Sequence, residues 1–348
     1  MVKKLTLTSL VASACLFSNV YAENTLEEAF TNGKVKGEIR SYYFQEDYDT
    51  TGRSSNLHFG GFLSYETASF YGLTTGATFQ VSSVADISGV NKFVDDEDAS
   101  GSVMSEAFLT YTRENSSVKA GRQFIGTPLL AGSGSRMIRQ SFQGYTLVNT
   151  DIPDTKVVAA YVDRFQGRTD GAGSPGKFTK AFDTNAELGS VTLNDGAYTA
   201  YLENKSISDL TIQAQYLDAM DVFASMYLDA KYEFGTSVNL YAVGQYIGTN
   251  YDATANENGN FYALRVGGNN DYFNFKLSAS ENPSDGNVES GLGYGADYSL
   301  VGAEIDGGYW SYLTDTTAYQ VNVGTTVAKI DLNLIHSVYD TKANGDIK

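Results

Sequence analysis

Cysteine is nearly absent from this sequence, with one residue, Cys15, in 348. It lies within residues 1–22, where a basic start, a short apolar run and a small-residue end predict a secretory signal peptide cleaved after Ala22. The mature chain, residues 23–348, would then have no thiol, which excludes disulfides and cysteine-based metal sites. Lipid attachment at Cys15 is the weaker alternative, because apolar residues continue beyond it.

Histidine and basic residues are also scarce. The two histidines, His58 and His336, lie far apart, and no serine or acid is spaced so as to suggest a catalytic triad. The 24 Lys and Arg are outnumbered by 41 Asp and Glu, which gives a formal net charge of −17. Because phosphate contacts need clustered cations, no nucleic-acid partner is expected. The acidic run 95–98 lacks the ligand spacing of an EF-hand, so neither a metal nor a cofactor is predicted.

Long apolar runs and prolines are missing as well. Beyond residue 22, no stretch approaches the roughly 20 apolar residues of a membrane-spanning helix. The 4 prolines all fall between alternating segments, where they interrupt no strand pairing. The chain has instead 35 glycines, 25 tyrosines and 13% aromatic residues. This composition is typical of a transmembrane β-barrel, in which aromatic residues ring each membrane interface.

Apolar and polar residues alternate with a period of two through most of the chain. In residues 210–218, LTIQAQYLD, Leu, Ile, Ala and Tyr alternate with Thr and Gln. Alternation over about nine residues predicts a strand, and that length crosses a bilayer once when the strand is tilted. The pattern predicts about 15 strands. They are 35–44, 56–66, 70–82, 103–113, 118–124, 140–149, 156–166, 196–204, 210–218, 223–234, 237–248, 260–268, 273–281, 317–327 and 330–340.

The connections between these strands alternate between short and long. The short ones include 114–116, 235–236 and 269–272, and the long ones are 83–102, 125–139, 167–195, 250–259 and 282–316. Short turns on one side and long loops on the other are typical of outer-membrane barrels. A β-sandwich is disfavoured, because the polar half of each strand would lie in its core. The predicted fold is therefore all-β, a single transmembrane antiparallel up-and-down barrel.

The end of the sequence departs from a complete barrel. An even number of strands is expected, with both termini on the short-turn side. The last predicted strand, 330–340, is instead followed on the long-loop side by the polar tail TKANGDIK. Either the sequence lacks about three further strands, or the connection 282–316 contains one more at 305–312. We favour the first explanation.

Residues 121–144, GRQFIGTPLLAGSGSRMIRQSFQG, connect two predicted strands and combine glycines with arginines. A flexible loop of this kind that folds inward would place Arg122, Arg136 and Arg139 where a solute passes. An ordinary surface loop with solvated arginines is the alternative.

The same region resembles the OprD-type porins, which are substrate-selective outer-membrane channels of Gram-negative bacteria. The resemblance rests on AGRQ at 120–123, TPL at 127–129, SRM at 135–137, SFQG at 141–144, and the strand 157–162 followed by Arg164 and Arg168. Gln143 departs from the family pattern, which more often has an acidic residue. The resemblance implies a monomeric barrel of ~18 strands with an inward-folded third loop. It also implies a row of arginines and lysines that guides carboxylate solutes such as amino acids, small peptides or organic acids.

Guanidinium groups suit such a pore, because they bind carboxylates through paired hydrogen bonds and stay charged at ordinary pH. The first candidates for the constriction are Arg122, Arg136 and Arg139, with Arg164 and Arg168 at the top of the strand 156–166. Polar faces of other strands add Arg40, Lys231, Arg265 and Lys276, and the acids Glu38, Glu106, Asp229 and Glu233 for the opposite wall. For each single residue, a surface ion pair or a solvated charge is the alternative.

The predicted function is passive, substrate-preferring diffusion of small anionic or zwitterionic solutes through the outer membrane, by a monomer or trimer surrounded by lipid. Two other classes stay open. An outer-membrane enzyme built on a barrel would need His58 or His336 beside a serine or acid. A surface adhesin or receptor would use the long loops 83–102 and 167–195.

Overall fold

The computed structural model describes residues 23–48, 52–85, 100–168, 175–184, 188–235, 238–253, 256–302, 308–327, 330–341 and 345–347. The predicted signal peptide and the acidic run 95–98 lie outside these residues. The helices are α1 (Leu26–Thr31) and α2 (Tyr309–Tyr312). The strands are β1 (Lys34–Tyr48), β2 (Gly52–Glu66), β3 (Leu73–Ala85), β4 (Gly101–Arg113), β5 (Ser116–Gln123), β6 (Gly126–Thr127), β7 (Leu130–Ala131), β8 (Ser141–Asn149), β9 (Thr155–Gln166), β10 (Ala181–Asp183), β11 (Ser190–Thr192), β12 (Ala197–Asn204), β13 (Leu210–Ala219), β14 (Phe223–Phe234), β15 (Asn239–Tyr251), β16 (Gly259–Asn269), β17 (Phe273–Asn282), β18 (Thr316–Val327), β19 (Ile330–Thr341) and β20 (Gly345–Ile347).

One antiparallel sheet dominates the described chain. Its 16 strands follow the order β1-β2-β3-β4-β5-β8-β9-β12-β13-β14-β15-β16-β17-β18-β19-β20. Each strand therefore pairs with the strands of this sheet that precede and follow it in sequence. Every strand predicted from the alternation is found in this sheet, and the all-β up-and-down architecture is confirmed. The small pairs β6–β7 and β10–β11 are hairpins within the long connections. Among the described residues, no helix is long and apolar enough to cross a bilayer.

The connections differ between the two ends of the sheet. At what we call the short-turn end, Glu114 and Asn115 join β4 to β5, and 270–272 join β16 to β17. The turn residues Asp154 and Asp209 have φ of 54° and 63°, a left-handed conformation that aspartate tolerates better than most residues. The opposite end, the long-loop end, has the connections 124–140, 167–196 and 283–315. The predicted long loops all lie at this end, although 220–222, which joins β13 to β14 here, is a short turn.

Helix α1 precedes the first strand at the short-turn end. Thr25 and Glu28 form a capping box, with Glu28 N donating to Thr25 Oγ1 and Thr25 N donating to Glu28 Oε2, each at 3.1 Å. Ala68 N donates to Ala29 O at 2.9 Å, which fixes the helix against the turn between β2 and β3.

The two faces of the sheet have opposite character. On β3, Phe79 and Val81 are 47% and 40% exposed. The residues that alternate with them, Thr78, Gln80 and Ser82, are only 3–4% exposed. A strand that exposes apolar side chains and covers polar ones is the reverse of a soluble sheet, and it is what lipid on the outer face requires. The division of each strand into an apolar outer face and a polar inner face follows the predicted alternation.

Exposed aromatic residues gather toward both ends of the strands on the outer face. The short-turn end has Tyr71, Tyr111, Tyr232, Phe234, Tyr272 and Phe273. Toward the long-loop end, Tyr145 pairs across strands with Tyr161, and Tyr161 pairs with Tyr198. We call these three residues the tyrosine row. The outer face therefore has two levels of aromatic residues with apolar strand residues between them, and these levels match the two interfaces of a bilayer.

The long connections fold over the inner face and pack against one another. Leu129 from 124–140, Phe182 from 167–196, and Leu292 from 283–315 are fully buried in one hydrophobic cluster. Backbone hydrogen bonds join the segments, since Leu292 N donates to Leu129 O at 3.0 Å and Gly293 N donates to Asp183 O at 2.7 Å. A Cβ on Gly291, whose φ is 134°, would lie 2.2 Å from Leu129 O, so glycine is required for this close approach. The three loops thus form one packed unit inside the sheet.

Truncating Phe182 is expected to be costly, because its ring centre lies 5.4 Å from that of Phe165 and 6.5 Å from that of Phe142. Phe182→Ala should lower the free energy of unfolding by about 3–5 kcal/mol through lost burial and a cavity. Guanidinium unfolding of the folded protein in detergent micelles measures this change. Phe59→Ala, on the outer face of β2, is the matched control and should cost much less. An equal loss of unfolding free energy in the two variants would contradict a core formed by the long connections.

Two predictions for the end of the chain need correction. The alternative strand at 305–312 is wrong in its described part, because Tyr309–Tyr312 form α2. This turn of helix is held by Asp297, whose Oδ2 accepts from Gly308 N at 2.6 Å, and by the burial of Tyr312 against Phe261. The polar tail contains β20, which pairs with β19 in the sheet.

Candidate functional site

The connection 124–140 begins with a tight hairpin, β6–β7. Thr127 pairs with Leu130, and Pro128 occupies the first central turn position, which suits its fixed φ. At the tip, Leu129 N donates to Gln215 Oε1 at 2.9 Å, and Gln215 Nε2 donates to Thr127 Oγ1 at 2.8 Å. Gln215 belongs to the inner face of β13 and is 3% exposed. The hairpin tip therefore touches the inner wall at β13.

The end of the same connection is held at a different part of the wall. Arg139 N donates to Gln80 Oε1 at 2.9 Å, and Gln80 Nε2 donates to Arg139 O at 3.0 Å. Gln80 belongs to β3, which is separated from β13 in the sheet by β4, β5, β8, β9 and β12. A segment bonded to the inner faces of both strands must cross the concave side of the sheet. Residues 124–140 therefore lie inside it.

Several arginines meet on this inward segment. Arg40, from the inner face of β1, donates through NH1 to the carbonyl oxygen of Arg136 at 3.0 Å. Arg168, which follows β9, donates through NH1 to Ser135 Oγ at 2.7 Å. Arg40 and Arg136 are separated by 96 residues in sequence, so only the folded sheet brings them together. We call Arg40, Arg136, Arg139 and Arg168 the arginine cluster.

Arg139 brings a buried donor to the cluster. Its guanidinium carbon lies 4.1 Å from the ring centre of Phe124, and its Nε is buried with no hydrogen-bond partner among the described residues. Burial lowers the pKa of the Arg139 guanidinium below its usual value, whereas the neighbouring carboxylate of Glu106 raises it. Glu106 is itself held on the inner wall, where its Oε2 accepts from Thr78 Oγ1 at 2.6 Å. The cluster therefore combines a partly desolvated cation with a wall carboxylate.

A second group of predicted residues lies on the inner face nearer the short-turn end. Its members are Asp229 and Lys231 on β14, Arg265 on β16 and Lys276 on β17. Lys231 Nζ lies 2.5 Å from Glu233 Oε1, and Arg265 Nε donates to Ser278 Oγ at 2.8 Å. Near the arginine cluster, Glu38 Oε1 accepts from Arg40 Nε at 2.7 Å. All of these charges share the inner face, as the alternation predicted.

Arg122 and Arg164 correct the prediction, because both belong to the outer face. Arg122 follows the outward residues Val118 and Ala120 with the same period, and its cross-strand partner is Gln143. Arg164 is also a partner of Gln143, because the β8–β9 register shifts between Gln143 and Gly144. Strict alternation along β9 would have placed Arg164 inward, and the extra residue at this bulge reverses it.

The anchors of the inward segment were missed by sequence reasoning. Besides Gln80 and Gln215, the fully buried Gln140 donates through Nε2 to Asp183 Oδ2 at 2.6 Å and accepts at Oε1 from Tyr294 N at 2.9 Å. Gln140 thus joins the three long connections. Nothing in the alternating pattern separates these glutamines from any other inward polar residue.

The histidines lie on opposite faces of the sheet. His336 is opposite Val321, which is exposed on the outer face of β18. The Nδ1 atom of His58 lies 3.3 Å from Ser82 Oγ on the inner face. The side chains of His58 and Ser82 are only 1% and 3% exposed, so a substrate would not reach this pair. Among the described residues, no group of His, Cys, Asp and Glu is arranged to hold a metal ion.

Comparison with known proteins decides the family. The sequence model of the outer membrane porins of the OprD family matches residues 88–284, which is more than half of the chain. The chain belongs to the OprD family. Its resemblance to that family is confirmed, and the exposed apolar face of the sheet is the lipid-facing surface of an outer-membrane porin. Family and fold both point to a channel and not to an enzyme.

Solved structures support the OprD-family barrel. OpdO of Pseudomonas aeruginosa is 14% identical, with 92% of this chain and 84% of that chain covered and a TM-score of 0.76. OpdK of Pseudomonas aeruginosa, solved with vanillate, is 16% identical, with 91% and 85% covered and a TM-score of 0.75. OccAB2 of Acinetobacter baumannii is 16% identical, with 90% and 82% covered and a TM-score of 0.73. No curated protein sequence matches significantly.

Proposed function

We propose that this OprD-family porin passes small solutes bearing a carboxylate group, by passive diffusion through a passage narrowed at the arginine cluster. The observation that carries the proposal is the meeting of Arg40, Arg136 and Arg168 on an inward segment anchored to both β3 and β13. Charged side chains at a constriction are how pores select solutes by sign.

The chemistry of the cluster suits a carboxylate. A carboxylate that enters a narrow passage loses water and needs donors to replace it, and guanidinium groups supply them in pairs. The buried Nε of Arg139 is such a donor. Because the chain carries a net charge of −17, clustered cations on the inner face stand out against the overall charge. Glu106 and Glu38 would meet the ammonium group of a zwitterionic solute.

The second inner group extends the path. Lys231, Arg265 and Lys276 lie between the arginine cluster and the short-turn end, on inward positions of β14, β16 and β17. A solute released from the arginines would meet these cations next. Vanillate, with which the related OpdK was solved, is itself a carboxylate, which is consistent with this substrate class.

The test is conductance of the full-length chain in a planar bilayer, followed by uptake into proteoliposomes. We expect discrete conductance steps and a reversal potential that shows preference for anions. Benzoate uptake should exceed that of benzamide, which has the same shape without the charge, by roughly tenfold, since one charged contact to a guanidinium is worth that much. A correctly inserted barrel that is silent would contradict the channel, and equal uptake of the two solutes would contradict the carboxylate preference.

A further inference from the structure

Arg122 and Arg164, on the outer face, border a groove of about 420 Å³ between the sheet and the connection 167–196. Its other borders include Phe79 and Met104 on β3 and β4, Gln143 on β8, and the loop residues 176–178. We call this the outer groove. It lies on the side of the sheet opposite to the arginine cluster, so it is separate from the proposed passage.

One side of the outer groove is cationic. Arg122, Arg164 and Lys177 border it, and no carboxylate of the described chain does. The guanidinium carbon of Arg122 lies 4.5 Å from the ring centre of Phe178, and its NH1 donates to Met104 O at 3.3 Å. Arg164 and Lys177 make no hydrogen bond or ion pair with a described residue. In a chain with a net charge of −17, this grouping favours an anionic ligand.

The other side of the outer groove is apolar. Phe79 and Met104 are cross-strand partners on the outer face, and they are 47% and 45% exposed. On a membrane protein, such exposed apolar side chains contact lipid acyl chains. The groove therefore offers an anion site next to an acyl-chain surface.

The height of the outer groove in the membrane fits a lipid headgroup. Gln143, the partner of both arginines, is the next outward residue after Tyr145 of the tyrosine row, toward the long-loop end. Two residues along a strand span about 7 Å, so Gln143 lies about that far from Tyr145. Since tyrosine rows mark the boundary of the hydrocarbon, the arginines lie just beyond it, at the level of lipid phosphates.

We infer that the outer groove binds a phosphate-bearing lipid headgroup of the leaflet on the long-loop side, with Arg122, Arg164 and Lys177 holding the phosphate and Phe79 and Met104 contacting an acyl chain. Guanidinium groups bind phosphate through paired, charge-assisted hydrogen bonds. The inference uses the membrane location of the family and does not depend on the solute of the pore.

The first test compares two lipids on the unmodified, folded protein in detergent micelles, with binding measured by native mass spectrometry. The probes are bisphosphorylated lipid A and the same lipid without its phosphates. We expect the phosphorylated form to bind at least about tenfold more tightly, because each charge-assisted contact is worth that much. Equal binding of the two lipids would overturn the inference, and this comparison does not depend on whether any variant folds.

Variants then locate the site. Arg122→Ala with Arg164→Ala should remove the preference for the phosphorylated lipid, whereas Arg122→Lys with Arg164→Lys should retain most of it. The matched control is Arg113→Ala, an exposed outward arginine at the short-turn end, which should bind as the unmodified protein does. Equal losses in the control and the alanine pair would overturn the location. Displacement of lipid A by an equal concentration of inorganic phosphate would show an adventitious anion site and overturn the lipid assignment.

Discussion

Replacing Arg136 and Arg139 together with alanine is expected to lower the preference for anions over cations by roughly tenfold, because two cations leave the narrow part of the passage while Glu106 stays. The reversal potential across a planar bilayer in a salt gradient should shift toward the value of a cation-selective channel. Uptake of benzoate should fall toward that of benzamide. These two measurements report charge selection and solute selection separately.

The structure makes this substitution a clean test of charge. The bonds that hold the segment use backbone atoms, since Gln80 binds N and O of Arg139 and Arg40 binds the carbonyl oxygen of Arg136. Alanine keeps all of these atoms, so the loop should stay in place. Arg113→Ala, which removes one positive charge from the outer face, should leave the reversal potential as it was. If the double variant also keeps the reversal potential of the unmodified protein, Arg136 and Arg139 do not belong to the proposed site.

Replacing Gln80 and Gln215 together with leucine is expected to free the loop and widen the passage. Each change leaves a buried backbone N–H, of Arg139 and of Leu129, without its partner, at a cost of about 1–3 kcal/mol each. Single-channel conductance should rise and selectivity for anions should fall. In contrast, the arginine variant should change selectivity with little change in conductance.

The matched control for the glutamine pair is Gln213→Leu. Gln213 lies on the same strand and the same inner face as Gln215, and it accepts from Tyr201 OH at 2.7 Å, a wall residue. Its replacement should leave the loop and the conductance unchanged. Unaltered conductance in the Gln80 and Gln215 variant would mean that the packed loop core holds the segment without them, or that the segment does not narrow the passage.

The sequence by itself determined the strands, their two faces and the division of connections into short and long. These are local properties, because side chains in a strand alternate between faces and lipid selects one face for apolar residues. That is why Arg40, Lys231 and Lys276 could be placed on the inner face from alternation alone. The arginine-rich motif of 121–144 likewise indicated the family.

Only the tertiary structure decided which arginines meet. One extra residue in β9 moved Arg164 to the outer face, and a bulge leaves no clear mark in an alternating pattern. The contact of Arg40 with Arg136 depends on how far the sheet curves around the inward loop, which is a property of many strand pairs together. The glutamine anchors depend on the same curvature. Faces are set by near neighbours in the chain, whereas the site is set by residues that only the curved arrangement of strands and loops brings within hydrogen-bond distance.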